Sequence, residues 1–141
     1  MIIQAAPVQD IPWLANRAGI APTLGMNAVQ AVDAGGKIHG MVGFDSWTDN
    51  SVVVSIALAN AGCLRSLIQP CFEYVFLTGG RGVMFATIRA TNSRSVRIAQ
   101  RLGFSEVYRL KDAVAVGEDM ILFEMRRENC RWIPEQHRKA A

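Results

Sequence analysis

Apolar residues recur along the chain at two spacings, and the switches between them predict its elements. Met1 to Gln4 suits a short edge strand. Ile11, Leu14 and Ala18 then give a partial helical face. Asp10 is placed as its N-cap, Pro12 sits near the first turn where a missing N–H costs little, and Gly19 ends it. Ile20 to Gly25, with Pro22 and Gly25, reads as a loop. Ala28 to Asp33 and Lys37 to Trp47 read as a hairpin turned by Asp33-Ala34-Gly35-Gly36. Within its second arm Gly40 and Gly43 mark a bulge or a close backbone approach. After the turn Thr48-Asp49-Asn50-Ser51, the run Val52 to Leu58 is apolar except for Ser55, the profile of a central strand.

The second half alternates helix and strand. Leu64, Leu67, Ile68, Cys71, Phe72, Val75 and Phe76 fall at i, i+3, i+4, i+7, i+8, i+11 and i+12, which predicts an amphipathic helix within Ala59 to Leu77. Pro70 lies inside it and should kink it, at a cost of about 3 kcal/mol unless the lost bond falls in a distorted turn. A regular helix starting near Gln69 is the alternative, and the apolar periodicity favours the kinked one. Thr78 to Gly82 is a glycine-rich turn. Val83 to Ile88 is apolar on both faces, as in a strand buried mid-sheet. Asn92 stands at a helix N-cap; Val96, Ala99 and Leu102 line one face of that helix, and Arg94, Arg97 and Arg101 the other. Gly103 follows where a left-handed C′ residue belongs. Phe104 to Leu110 is a strand, Lys111 to Glu118 a turn and Met120 to Met125 the last strand. Residues 1–125 therefore read as one domain, and 126–141 as a basic C-terminal tail carrying Cys130-Arg131-Trp132.

Composition narrows the picture. At 141 residues, 50% apolar and 19% charged, the chain has enough apolar surface for one packed core. No apolar run reaches membrane-spanning length, and the start lacks a signal peptide's pattern, so no membrane partner is expected. A net charge of +3 permits an anionic ligand without pointing to nucleic acid. Three cysteines, Cys63, Cys71 and Cys130, show neither CxxC nor metal-ligand spacing and read as free thiols of a reducing compartment, with no metal site. Cys63, near a predicted helix N-terminus, should have a lowered pKa. Cys71 lies on the apolar helix face and reads as core.

The stretch from Asn92, with its small residue Ser95 three on, to Leu102-Gly103-Phe104 resembles the last core segment of the GNAT (Gcn5-related N-acetyltransferase) superfamily. The element order from Asp10 to Met125 is similar to that family's as well: helix, three-stranded meander, helix, strand, helix, two strands. The resemblance implies an α/β GNAT-like fold. Its central, mostly antiparallel sheet would splay into a V between two parallel strands and be flanked by helices. It implies acetyl-CoA as co-substrate, lying between Val52–Leu58 and Val83–Arg89, and transfer to an amine of unknown acceptor. Backbone groups at Ile56 and Leu58 would hold the pantetheine. Gly62, Cys63, Arg65 and Ser66 would hold the pyrophosphate at a helix N-terminus, and Asn92 would contact the pantetheine end. Arg65 reads equally as a solvated surface residue, and Asn92 as a helix cap; both roles of Asn92 can coexist.

The sequence departs from the family pattern in places. Of the phosphate loop's glycines only Gly62 matches, with Asn60 able to take a left-handed conformation at the other. The leading basic residue is missing. The position of the family's acid Tyr, seven residues after the Asn, holds Ala99. No catalytic residue is assigned: Ser55 is no base, Asp45 and His39 are possible bases that read equally as a cap of the turn at Ser46 and a surface or satisfied strand residue, and Tyr108 suits the core edge. A short segment after the first helix implies an open acceptor site. Val42-Gly43-Phe44-Asp45, Phe72-Glu73-Tyr74-Val75-Phe76 after Arg65, Asn92, and Glu118-Asp119-Met120-Ile121-Leu122 through Cys130-Arg131-Trp132 resemble small GNAT-like proteins of tailed bacteriophages. That resemblance implies a cytoplasmic protein, in the host cytoplasm or virion if phage-encoded. It also leaves open a homodimer, and a non-catalytic structural or host-interaction role. A nucleotide-binding βαβ domain is disfavoured by the meander and the lack of GxGxxG.

Overall fold

The computed structural model describes residues 1–139. Seven strands form one sheet in the order β1-β2-β3-β4-β5-β7-β6. They are β1 (Ile2–Ala5), β2 (Asn27–Val32), β3 (Ile38–Asp45), β4 (Ser51–Leu58), β5 (Val83–Arg89), β6 (Ser105–Ala115) and β7 (Glu118–Arg126). Helices α1 (Ile11–Ala18), α2 (Leu64–Glu73) and α3 (Ser93–Leu102) connect them. Every strand pair is antiparallel except β4 with β5. The element order expected from the sequence is present throughout.

Strand alternation assigns the two faces of the sheet. One face carries Val42, Phe44, Val52, Met84 and Met125, packed with Leu67, Cys71, Phe72, Val75 and Phe76 of α2 and the turn after it. The other carries Ala28, Met41 and Ala57 beneath Ile11 and Leu14 of α1. The glycines of β3 serve these two contacts. A Cβ on Gly40 would stand 2.5 Å from Cys63 Sγ, and one on Gly43 2.5 Å from Leu14 Cδ2. Close approach is thus their use, and Gly40 also adjoins a bulge: β3 carries His39 as an extra residue opposite Ala31 and Val32 of β2.

Pro70 lies inside α2, which begins at Leu64. The alternative start near Gln69 is therefore excluded. The missing Pro70 N–H leaves the Ser66 carbonyl without its intrahelical donor, and one turn beyond Pro70 the helix widens into a π turn, Tyr74–Thr78. The apolar face continues through that turn, because Val75 and Phe76 are both fully buried.

Four local expectations change. Asp10 makes no side-chain cap; a 3-10 turn, Val8–Asp10, feeds α1 directly. The turn placed at Lys111 to Glu118 shrinks to Val116-Gly117, since the strands run on to Ala115 and start again at Glu118. Asp112 holds this hairpin end, accepting from Gly117 N at 2.8 Å while its own N–H donates to Asp119 Oδ1 at 3.0 Å. Val83 and Met84 are buried, but Thr87 and Arg89 are exposed, so β5 is a central strand only in its first half. Tyr108, on the outer strand β6, is 64% exposed and does not pack at the core edge. After β7 the chain docks back: Cys130 and Ile133 are buried in the main core, and Trp132 Nε1 donates to Leu102 O at 2.8 Å. Positions 140 and 141 of the expected tail lie outside the described residues.

Candidate functional site

The parallel strands β4 and β5 begin together and then part. They pair at Ser51–Val83, Val52–Met84 and Val53–Phe85 and no further. Each remains fully paired on its other side, β4 with β3 as far as Leu58 and β5 with β7 as far as Arg89. The result is a V-shaped cleft of about 990 Å³, the size of a small-molecule site.

Strand parity fixes which backbone groups face it. Ala59 N donates to His39 O, at the end of the β3–β4 ladder. Counting back in an antiparallel ladder, Ala57, Ser55 and Val53 also point their N–H and C=O at β3. Val54, Ile56 and Leu58 therefore turn theirs into the cleft. On the other wall Ala90 N donates to Asp119 O, so Ile88 and Ala86 bond to β7, and Thr87 and Arg89 face the opening. These edges are half-buried or exposed, so either water or a bound molecule that carries amide groups can pair with them.

The lining comes from both sides of the sheet. Leu64, Leu67, Ile68, Cys71 and Phe72 of α2 meet Ser95, Ile98, Ala99 and Leu102 of α3 on one side. Asn16 to Ile20, at the end of α1, close the other. Of the residues expected to hold a cofactor, Ile56, Leu58 and Asn92 line the cleft. Asn92 also caps α3, its Oδ1 accepting from Ser95 N at 3.2 Å. Gly62, Arg65 and Ser66 are exposed beside Leu64 at the start of α2 and do not line the cleft.

Cys63 is placed otherwise than expected. Its side chain is 1% exposed under Gly40, its Sγ donates to His39 O at 3.3 Å, and its N–H donates to Asn60 O at 3.1 Å. Burial raises its pKa, where a helix N-terminus would have lowered it. Asn60 is extended, not left-handed, and caps the preceding 3-10 turn by accepting from Gly62 N at 2.9 Å. Leu64 N donates to Ala61 O. This loop therefore spends the N–H groups of Gly62, Cys63 and Leu64 on itself.

No acid or base presents itself in the cleft. Among the described lining residues there is no Asp, Glu, His or Tyr. Ala99, at the position where the family resemblance would put an acid Tyr, is buried and lines the cleft. Cys71 lines it too, but burial pushes its thiol up to about 12. His39 instead bonds Asp33 Oδ2 at 2.8 Å at the hairpin end, and this bond is the main cause that lowers the Asp33 pKa. Asp45 accepts from Ser46 N at 2.7 Å and Thr23 Oγ1 at 2.5 Å.

Some lining residues were not foreseen from the sequence. Val54 follows from counting β4 parity. Thr87, Arg89 and Arg17 become site residues only once the splay is known, because their place depends on where pairing stops.

No protein-family model matches the chain, and no curated protein matches it. Solved structures do. Spermidine/spermine N-acetyltransferase SpeG from Vibrio cholerae, in complex with manganese ions, superposes with a TM-score of 0.73 at 15% identity, over 89% of this chain and 91% of that one. The same organism's spermidine N-acetyltransferase in complex with CoA and spermine gives a TM-score of 0.74 at 14% identity, over 91% and 96% of the two chains. A point mutant of that enzyme gives 0.78 at 15% identity, over 96% and 99%. At this identity the likeness is one of architecture: the mixed sheet, its splayed parallel pair and its flanking helices are the GNAT fold.

Proposed function

We propose that the chain is an acetyl-CoA-dependent N-acetyltransferase that joins the acetyl group to an amine in a ternary complex. The observation that carries this reading is the open edge of β4. Backbone groups of Val54, Ile56 and Leu58 face an apolar cleft without strand partners, and the amides of a pantetheine arm match them in spacing and polarity. Acetyl-CoA supplies a thioester whose carbonyl carbon is attacked by the amine, with CoA leaving as the thiol. Asn92 would meet the pantetheine end while still capping α3. Arg65 and Ser66, exposed on the first turn of α2 with Gly62 just before them, would meet the pyrophosphate through side chains and the helix dipole. The loop itself offers little, since its N–H groups are already bonded.

With no titratable group suited to proton transfer in the cleft, the amine would lose its proton through water, and the CoA sulfur would take one from water. Slow turnover is the expected consequence, because a positioned acid or base typically contributes about 10²- to 10⁴-fold.

A second reading is favoured by one observation, the buried Ala99 in the place of an acid. In it the chain binds through the same fold without transferring anything, as a structural or host-interaction protein would. Calorimetric titration with acetyl-CoA separates the two. The transferase reading expects one site per chain with micromolar affinity, about −8 kcal/mol. No heat at millimolar ligand would rule it out.

A further inference from the structure

The structural neighbours include an enzyme that holds spermine, and a polyamine is the acceptor that likeness alone would suggest. The charge of this cleft opposes it. The side where α1 closes the V lies across the sheet from α2 and α3, and with acetyl-CoA held against those helices it is the side left for an acceptor; it carries Arg17 and Arg89. Arg89 reaches across the opening: its Nη2 lies 3.9 Å from where a Cβ of Gly19 would stand, at the end of α1. Arg17, in the last turn of that helix, stacks its guanidinium on Trp13 at 4.4 Å from the ring centroid. That contact leaves the in-plane N–H groups free to donate. Neither arginine forms an ion pair among the described residues. Glu118, on β7 near the end of β5, accepts from Thr91 Oγ1 at 2.8 Å. Arg94 belongs to the opposite side, in the first turn of α3.

Two unpaired guanidinium groups facing a cleft without carboxylates repel a polycation and attract an anion. Resting on the transferase reading above, we infer that the acceptor is a small amine whose own molecule carries an anionic oxygen group, bound by Arg17 and Arg89. The group is the carboxylate of an amino acid or the phosphate of a phosphorylated amine. In the reaction the amine nitrogen bonds the acetyl carbonyl carbon and the carbon–sulfur bond breaks. The proton shed by nitrogen is balanced by the one that CoA sulfur gains.

The test begins with binding of acetyl-CoA by the intact protein. Release of CoA thiol is then followed with the free amino acids, O-phosphoethanolamine and spermidine as separate acceptors. The proposal expects turnover with an amino acid or with O-phosphoethanolamine, whichever source of the anion is right, and at least about 10-fold lower kcat/KM with spermidine. Arg89→Gln and Arg17→Gln should each raise KM for that acceptor about 10-fold, with kcat and acetyl-CoA affinity little changed. Arg89→Lys should recover only part of the loss, since an ammonium lacks the planar fork. Equal or better use of spermidine overturns the proposal, and so does an unchanged KM in both glutamine variants. Acetyl-CoA binding without transfer to any anionic acceptor in the panel overturns this proposal alone. Failure to bind acetyl-CoA overturns the transferase reading and this proposal together.

Discussion

Two asparagine-capped segments flank the cleft, and they put the same chemistry to opposite uses. Asn60 opens the 3-10 turn before α2, and its carboxamide oxygen takes the Gly62 N–H at 2.9 Å. Its turn closes on itself, with Cys63 buried under Gly40 and the Cys63 N–H on the Asn60 carbonyl. Asn92 opens α3 and takes the Ser95 N–H at 3.2 Å, yet it lines the cleft with Ser95 and Arg94 beside it. A cap satisfies orphan helix donors in both places. Whether it also meets a ligand depends on where the sheet splits, and that is set by residues far away in sequence.

The strongest way to break this comparison is at Gly40. A valine there would drive atoms into Cys63 Sγ, Leu58 and Leu67, where a single Cβ already approaches to 2.5 Å. Gly40→Val should lose on the order of 3 kcal/mol, at the upper end of ordinary overpacking costs. Thermal melting reads the loss directly; an unchanged midpoint would mean that Cys63 is not packed against β3.

The caps themselves come next. Asn60→Ala and Asn92→Ala should each cost about 1 kcal/mol of stability. Their effects on acetyl-CoA should differ: about 10-fold weaker binding for Asn92→Ala, and less than 2-fold change for Asn60→Ala. Equal losses would bring the Asn60 turn itself into the site, beyond the side chains of Arg65 and Ser66 that follow it.

The cysteine thiols give the smallest and slowest signal. Burial raises the pKa of Cys63, Cys71 and Cys130, that of Cys71 to about 12. In the unfolded chain they ionise near the usual cysteine range, so above about pH 9 the unfolded state binds fewer protons than the folded one. The stability that these groups contribute is complete below that range and is lost as pH rises toward the folded values. Native protein at pH 7.5 should therefore resist alkylation by iodoacetamide until denaturant is added. Rapid native labelling of Cys63 would contradict its burial.

Much of this was legible in the sequence, because periodicity and capping are local. The heptad-like spacing from Leu64 to Phe76, the cap at Asn92 and the left-handed Gly103, with φ of 103°, are all as read. The misreadings share one cause. At Cys63 a local cue, nearness to a helix start, suggested an activated thiol, but Gly40, twenty-three positions earlier, makes room to bury it. At Thr87 an apolar-looking strand suggested burial, but β4 leaves β5 after Val53 and exposes it. Asn60 carried no sign of which backbone N–H its side chain would take. Such facts belong to pairing between distant segments, and no window of sequence contains them.

The account rests on the open edge of β4, and amide hydrogen exchange followed residue by residue by NMR tests that edge most directly. On saturation with acetyl-CoA, the amides of Val54, Ile56 and Leu58 should slow by about 10-fold or more. Those of Ser55 and Ala57, already bonded to β3, should change little. Slowing confined to α1 and β6, or no change along β4, would contradict the claim that this strand holds the ligand.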